Sequence, residues 1–298
     1  MNEEIIFKNK YLLLDKLGKG SFGVVYKGLN KQTNEYVAIK VETVEDPPKD
    51  RCLLLENEYK IYKQLKNVKC VPKIYCFITN YRNMKLLIMQ LLGDSLETLF
   101  HNNGGHFSLK TVLMIGIQLI HTLEEIHASK LLHRDLKPEN FLIGTDDKAK
   151  YIYMIDFGLA KPFKNEHNVH MKITTGKKLI GTSRYASINS HIGNDLSRRD
   201  DLESLCYILI YFFKGKLPWQ GAPGETREVK YKNIGDIKQS IKVERLCSGM
   251  PEEFCYYLNY VKSLEFKEKP NYNYLLSLFI NVMKRENYLF DYIYDWTI

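Results

Sequence analysis

From Tyr11 to Gln90 the apolar positions come in short runs rich in β-branched and aromatic residues: YLLLDKL, FGVVYKGL, EYVAIKVE, PKIYCFIT and MKLLIMQ. Runs of this length, set between polar or turn residues, predict five strands. One stretch breaks the pattern. Over Cys52 to Leu65, the residues Leu55, Glu58, Tyr62 and Leu65 recur at helical spacing, which predicts a helix carrying a carboxylate inside an apolar stripe. After Gly93 the period changes for good. Asp94 followed by Glu97 reads as a capping box, and Val112, Ile115, Leu119, Leu123 and Ile126 mark a long amphipathic helix opened by Ser108. Helical spacing returns at Leu202 to Phe213 and through the Tyr- and Phe-rich end, with no Gly/Ser linker, repeat or low-complexity tract between. A strand-rich first part and a mainly helical second part are predicted, an α+β chain.

Composition narrows the class without choosing a function. With 298 residues, 45% apolar and 26% charged, the chain can bury a core as one domain or as two lobes, and collagen-like or wholly disordered classes are excluded. The longest stretches free of Asp, Glu, Lys and Arg, Pro270 to Met283 and Thr111 to Leu123, fall short of the roughly 20 residues a spanning helix needs, so no membrane segment is expected. The start, MNEEIIFKNK, has two acids and no apolar signal region, and Asn2 stands where myristoylation needs Gly, which predicts a cytoplasmic or nuclear address. The six cysteines (Cys52, Cys70, Cys76, Cys206, Cys247, Cys255) show no Cys-x-x-Cys spacing and read as reduced thiols in apolar surroundings. Forty-three Lys and Arg against 35 Asp and Glu leave a net charge of +8, yet no basic run exceeds two residues. There is no basic arm of the nucleic-acid-binding kind, and no nucleic-acid partner is expected.

The candidate chemistry lies in four short segments. Gly18, Gly20 and Gly23 in GKGSFG are followed by Val24, Val25 and Tyr26, a strand, whereas a dinucleotide turn must open a helix. Strand, glycine flap and strand suit a phosphate cover. Seventeen residues after Gly23, Lys40 in VAIK can pair with α- and β-phosphates if a carboxylate orients it. Both Glu56 and Glu58 are available, and only Glu58 shares the apolar stripe. HRDLKPEN, His133 to Asn140, puts a carboxylate, a cation and an amide in one loop: Asp135 to accept a hydroxyl proton, Lys137 to neutralise a transferring phosphoryl, Asn140 to hold a metal ion. His133 reads as a packing residue. The DFG at Asp156, Phe157 and Gly158 brings a second carboxylate for Mg²⁺.

In this order and spacing the segments resemble a eukaryotic protein kinase, over most of the chain from Tyr11 to Trp296. The resemblance implies one catalytic domain over 1–298 with the two-lobed kinase fold: a five-stranded antiparallel sheet with one helix in an N-lobe, 1–92, a hinge at 90–93, and a mainly helical C-lobe, 94–298. VAIKVE, LLGDSLETLF, GTSRYASINSHIG, SRRDDLESLCY and LPWQG are similar to the casein kinase 1 family. That family implies a Ser/Thr kinase using ATP and Mg²⁺, monomeric, and preferring acidic or already phosphorylated protein substrates.

By the same resemblance the nucleotide meets Leu17, Gly18, Gly20, Ser21, Gly23 and Val25 from the flap, and Ala38 and Lys40 from the next strand. Met89 looks like the gatekeeper, Gln90, Leu91 and Leu92 the hinge, Leu142 the floor, and Ser95 a neighbour of the ribose. Asp94 stands where the family commonly has Pro, and Thr98 where it has Asp. The family's anion-recognition positions map onto Lys177, Arg184, Gly221 and Lys230, groups that suit a phosphate. Lys177 and Lys230 equally fit ordinary solvated lysines. Asp201 resembles the aspartate that braces the catalytic-loop backbone. Trp219 and the aromatics from Tyr288 to Trp296 read as core. Thr174, Thr175, Thr182 and Ser183 are candidate phosphate acceptors, with no obligatory phosphorylation expected. The alternative reading is a pseudokinase scaffold that binds nucleotide without turnover; the usual losses that mark one are absent at Lys40, Asp135 and Asp156.

Overall fold

The computed structural model describes residues 5–20, 23–43 and 54–297. In chain order the elements of the first half are β1 (Ile6–Phe7), β2 (Tyr11–Gly20), β3 (Gly23–Asn30), β4 (Glu35–Thr43), α1 (Leu54–Gln64), β5 (Ile74–Tyr81), β6 (Met84–Gln90), α2 (Leu96–Asn102) and α3 (Leu109–Ala128). Those of the second half are β7 (Leu131–Leu132), β8 (Phe141–Ile143), β9 (Ile152–Met154), β10 (Lys161–Pro162), α4 (Ile188–His191), α5 (Arg198–Lys214), α6 (Arg227–Ser240), α7 (Val243–Leu246), α8 (Glu253–Ser263) and α9 (Tyr272–Arg285). Two compact units result, Met1–Gly93 with Leu142–Gly158, and Asp94–Phe141 with Leu159–Ile298.

The first unit is built on an antiparallel sheet in the order β1-β2-β3-β4-β6-β5. It has six strands, not the expected five. The extra one, β1, pairs Ile6 with Leu12 and Phe7 with Tyr11 across a turn at Lys8 and Asn9, both at positive φ. Two residues are too few for an alternating pattern to announce a strand. Alternation along β4 sorts the sheet into two faces. Val37, Ile39 and Val41 join Phe7, Tyr11, Ile78, Leu86 and Ile88 in the core. Ala38 and Lys40 point the other way, where the register sets Lys40 beside Val25 and Ala38 beside Met89. The helix foreseen over Cys52 to Leu65 is α1; Cys52 lies outside the described residues, and Leu55, Glu58, Tyr62 and Leu65 are buried as the stripe predicts.

In the second unit the long helix α3 packs against α9 and α5, and α5 against α8. Ser108 caps α3 by accepting from Thr111 N at 3.3 Å, and its own backbone N and hydroxyl donate to Asp295, each at 2.6 Å. The capping box read at Asp94 and Glu97 does not form. Ser95 is the N-cap of α2, its hydroxyl accepting from Thr98 N at 3.1 Å, while Glu97 turns to His101 at 3.1 Å. A serine one residue on competes for the same turn and satisfies the helix amide directly. Trp219 is buried, but the terminal aromatics are not uniformly core: Tyr294 is buried and stacked on Trp296, whereas Phe290 is exposed. None of the five described cysteines forms a disulfide. Among the described residues, no helix is long and apolar enough to cross a membrane.

Candidate active site

In the first unit, β4 and α1 bring a cation and a carboxylate together inside the protein. Lys40 Nζ donates to Glu58 Oε2 at 2.7 Å and to Asp156 Oδ1 at 3.3 Å. Burial works against the ammonium, but Glu58 and Asp156 outweigh it and hold its pKa above the ordinary lysine value, so Lys40 is a fixed positive charge. Glu56, the rival carboxylate, pairs instead with Lys60 at 3.0 Å one helical turn away. Asp156 sits at positive φ, and its amide donates to the Tyr62 hydroxyl at 3.3 Å, while Tyr62 meets Phe157 edge to face. Tyr62 thus steers the DFG segment, a role that its place in the stripe could have suggested.

The flap is short and exact in one place. Gly20 pairs with Gly23 at the facing ends of β2 and β3, and a side chain at Gly23 would meet Val41 O at 2.4 Å, so only glycine fits there. Gly18 lies beside Val25 in the register, and Leu17 is exposed. Ser21 lies outside the described residues. Met89 is buried next to Ala38, and Gln90, Leu91, Leu92 and Leu142 are half-buried. Gln90 N donates to Lys73 O at 2.8 Å, and Gly93 N donates to Ile143 O at 2.9 Å, which ties the segment after β6 to the strand holding Leu142. Ser95 belongs to the second unit, and its hydroxyl is engaged in capping α2.

In the second unit the HRDLKPEN loop is braced from α5. Asp201 accepts from the backbone N of His133 at 2.9 Å and of Arg134 at 2.8 Å, and meets His127 Nε2 at 3.0 Å; His127 in turn meets the Tyr272 hydroxyl at 2.7 Å. Burial alone would raise the Asp201 pKa, but these hydrogen bonds and the imidazoles hold it below the usual carboxylate value. Arg134 sits at φ 69, a conformation costing of order 1–3 kcal/mol that the Asp201 contacts sustain. His133 is fully buried and its Nδ1 accepts from Asp135 N at 3.3 Å, the packing role foreseen for it. Asp135 is buried as well. Its Oδ2 lies 3.2 Å from Lys137 Nζ, and its Oδ1 accepts from both N and Oγ1 of Thr182, each at 2.8 Å. Asn140 spends its Nδ2 on Asp135 O at 2.9 Å, which leaves the amide oxygen as the group a cation would use.

Thr182 is the residue the sequence hid. It reads there as a modification candidate, and it is instead the partner that orients Asp135. Gly181 before it, at φ +84, passes so close that a Cβ would lie 2.5 Å from Arg134 O. The anion positions differ in exposure. Lys177, Gly221 and Lys230 are exposed; Arg184 is half-buried, donating from Nη1 to the Tyr185 hydroxyl at 3.1 Å, with its guanidinium beside the rings of Tyr185 and Tyr211. Among the described residues no hydrogen bond joins Arg184 to the other three. The residues fit Mg²⁺ by type: Asp156 and Asn140 offer hard oxygen donors, as that ion requires.

A buried Lys–Glu pair beneath a glycine flap, a carboxylate–lysine–asparagine loop braced by a helical aspartate, and a DFG carboxylate define a phosphotransferase of the protein kinase class. The family model described as the protein kinase domain matches residues 11–277, and the chain belongs to that family. Protein kinase domains bind ATP and act on proteins.

Proposed function

We propose that this chain is a casein kinase 1-type Ser/Thr kinase, passing the γ-phosphoryl group of ATP to protein hydroxyls and preferring acidic or phosphate-primed segments. The observation that carries the reading is Asp135: a buried carboxylate with one oxygen fixed by Thr182 and the other beside Lys137. In the proposed step the substrate oxygen attacks the γ-phosphorus, the bond to the β-phosphate bridge oxygen breaks, ADP leaves, and the hydroxyl proton passes to Asp135 Oδ2. Lys137 offsets charge on the moving phosphoryl group. Lys40, held positive by Glu58 and Asp156, pairs with the α- and β-phosphates. Mg²⁺, when bound, would neutralise phosphate charge, with Asp156 and Asn140 as its ligands. Arg184, Lys177 and Lys230 are the proposed partners of substrate anions, which gives part of the +8 charge a purpose.

The test is a peptide array with labelled ATP, comparing serines that follow phosphoserine, serines that follow acidic residues, and serines in basic contexts. Labelling of the first two sets on Ser and Thr is expected. Labelling confined to tyrosine, or to basic contexts, would overturn the proposal. A scaffold without turnover would bind nucleotide and label nothing.

Thr182→Val removes one of the two donors on Asp135 Oδ1 while keeping the residue's shape. A hydrogen bond to a charged group is worth about 1.5–3 kcal/mol, so kcat is expected to fall about tenfold or more, with the ATP KM unchanged. Steady-state kinetics on casein checks this; an unaltered kcat would show that Thr182 does not orient the base.

A further inference from the structure

Lys238 has no part in the chemistry above, and yet its side chain is wholly buried. It lies on α6, whose Lys230 and Lys232 face solvent. Its Nζ donates to Ser183 O at 2.9 Å and to Ala186 O at 2.6 Å, and lies 3.3 Å from His191 Nε2. Of the three donors of an ammonium, two are met by these carbonyls and the third side faces the imidazole. His191 Nε2 also lies 3.2 Å from Ser183 O, and Nδ1 faces Tyr231 O at 3.0 Å, so the ring stands between the Ser183 carbonyl, the Lys238 ammonium and α6. Burial and the Lys238 charge push the His191 pKa down to about 4, in keeping with a neutral ring. The rings of Trp219 and Tyr207 lie 4.9 and 5.0 Å from Nζ, and Trp219 Nε1 donates to Arg184 O at 2.7 Å. The carbonyls of Ser183, Arg184 and Ala186 are therefore all held by Lys238 and Trp219. Between them hang the amides of Tyr185 and Ala186, both bonded to Thr182 O at 2.9 Å.

We infer that Lys238, as an ammonium, is a positioning residue that fixes the 181–187 segment and with it the presentation of Arg184 to anionic protein substrates. The inference rests on the reading of Arg184 as a substrate-anion group. A buried cation is costly, and an apolar side chain would fill the space without that cost, which argues for a task beyond packing. The charged state also sets a pH limit. The groups facing Lys238 are His191 from α4, with Glu203 and Tyr207 from α5 and Asp200 next to Glu203. Burial lowers its pKa to about 7 against the opposing pull of Glu203. The bonds to Ser183 O and Ala186 O lose their charge assistance, and the grip on the segment weakens, as pH rises through that value.

Three measurements on the full chain test this. Lys238→Met is expected to raise KM for an unphosphorylated acidic peptide about tenfold, leaving the ATP KM within about twofold, and Lys238→Arg is expected to restore part of the loss. Wild-type KM for the same peptide should rise between about pH 6 and 8.5, where its carboxylates do not titrate, and should be flat in the Met variant. Amide exchange at Tyr185 and Ala186 should quicken at least about tenfold in Lys238→Met, a readout that needs no turnover. Unchanged peptide KM with unchanged exchange would overturn the inference, and so would a flat wild-type profile if the Met variant does not fold. Should the wild type transfer no phosphate, the kinase reading fails alone, and exchange still decides for or against Lys238.

Discussion

Asp135→Asn is expected to abolish most phosphate transfer while leaving the fold intact. The amide oxygen keeps an acceptor for Thr182 N and Oγ1, while the negative charge is lost and an N–H donor replaces the oxygen beside Lys137. A positioned base contributes on the order of 10²- to 10⁴-fold, and kcat on casein should drop within that range. The thermal midpoint should stay within a few degrees of wild type, because both Thr182 bonds persist and Lys137, part-exposed, turns to water for its lost acceptor. A kcat within about fivefold of wild type would mean that Asp135 does not take the hydroxyl proton. A lost thermal transition would mean that its charge is structural instead.

Asp201→Ala should strike both stability and activity. The wild-type carboxylate is buried and engages His133 N, Arg134 N and His127 at once. Its removal leaves two backbone donors unmet and frees Arg134 to relax from its positive φ, at a cost of about 3–5 kcal/mol, comparable to breaking a buried ion pair. Turnover should fall with it, since Asp135 follows Arg134 directly. The pH dependence follows from the depressed pKa. The unfolded chain binds the proton first, at about pH 3.9, so the Asp201 contribution is complete above that value and is lost as pH falls through the lower folded value. Thermal melts of wild type should therefore lose stability from about pH 5 downward, with a shallower slope in Asp201→Ala. Equal slopes and equal midpoints would refute the bracing role.

The parts of the site legible in the sequence are those fixed by local spacing. Glu58 was distinguishable from Glu56 because helical period put it in a buried stripe, and Lys40 was marked by VAIK and its spacing from Gly23. HRDLKPEN and DFG carry their chemistry within single turns. What stayed hidden depends on contacts between distant stretches. Thr182 reaches Asp135 across 47 positions and Lys238 reaches Ala186 across 52, through backbone carbonyls and amides that leave no mark on residue type. β1 escaped because a two-residue strand has no period, and the α2 cap was displaced by one residue because Asp94 and Ser95 are both good caps. Family resemblance could name Arg184, but only coordinates reveal that its guanidinium leans on Tyr185 and Tyr211.

The most direct test mixes the chain with γ-labelled Mg·ATP and a peptide containing one serine three residues after a phosphoserine, and counts ADP against new phosphoserine over the first turnovers. One labelled phosphoserine per ADP, with neither product formed when Asp135 is Asn, is the predicted result. ATP that is bound and recovered intact, or ADP formed without peptide labelling, would contradict the claim that these residues carry out phosphoryl transfer to protein.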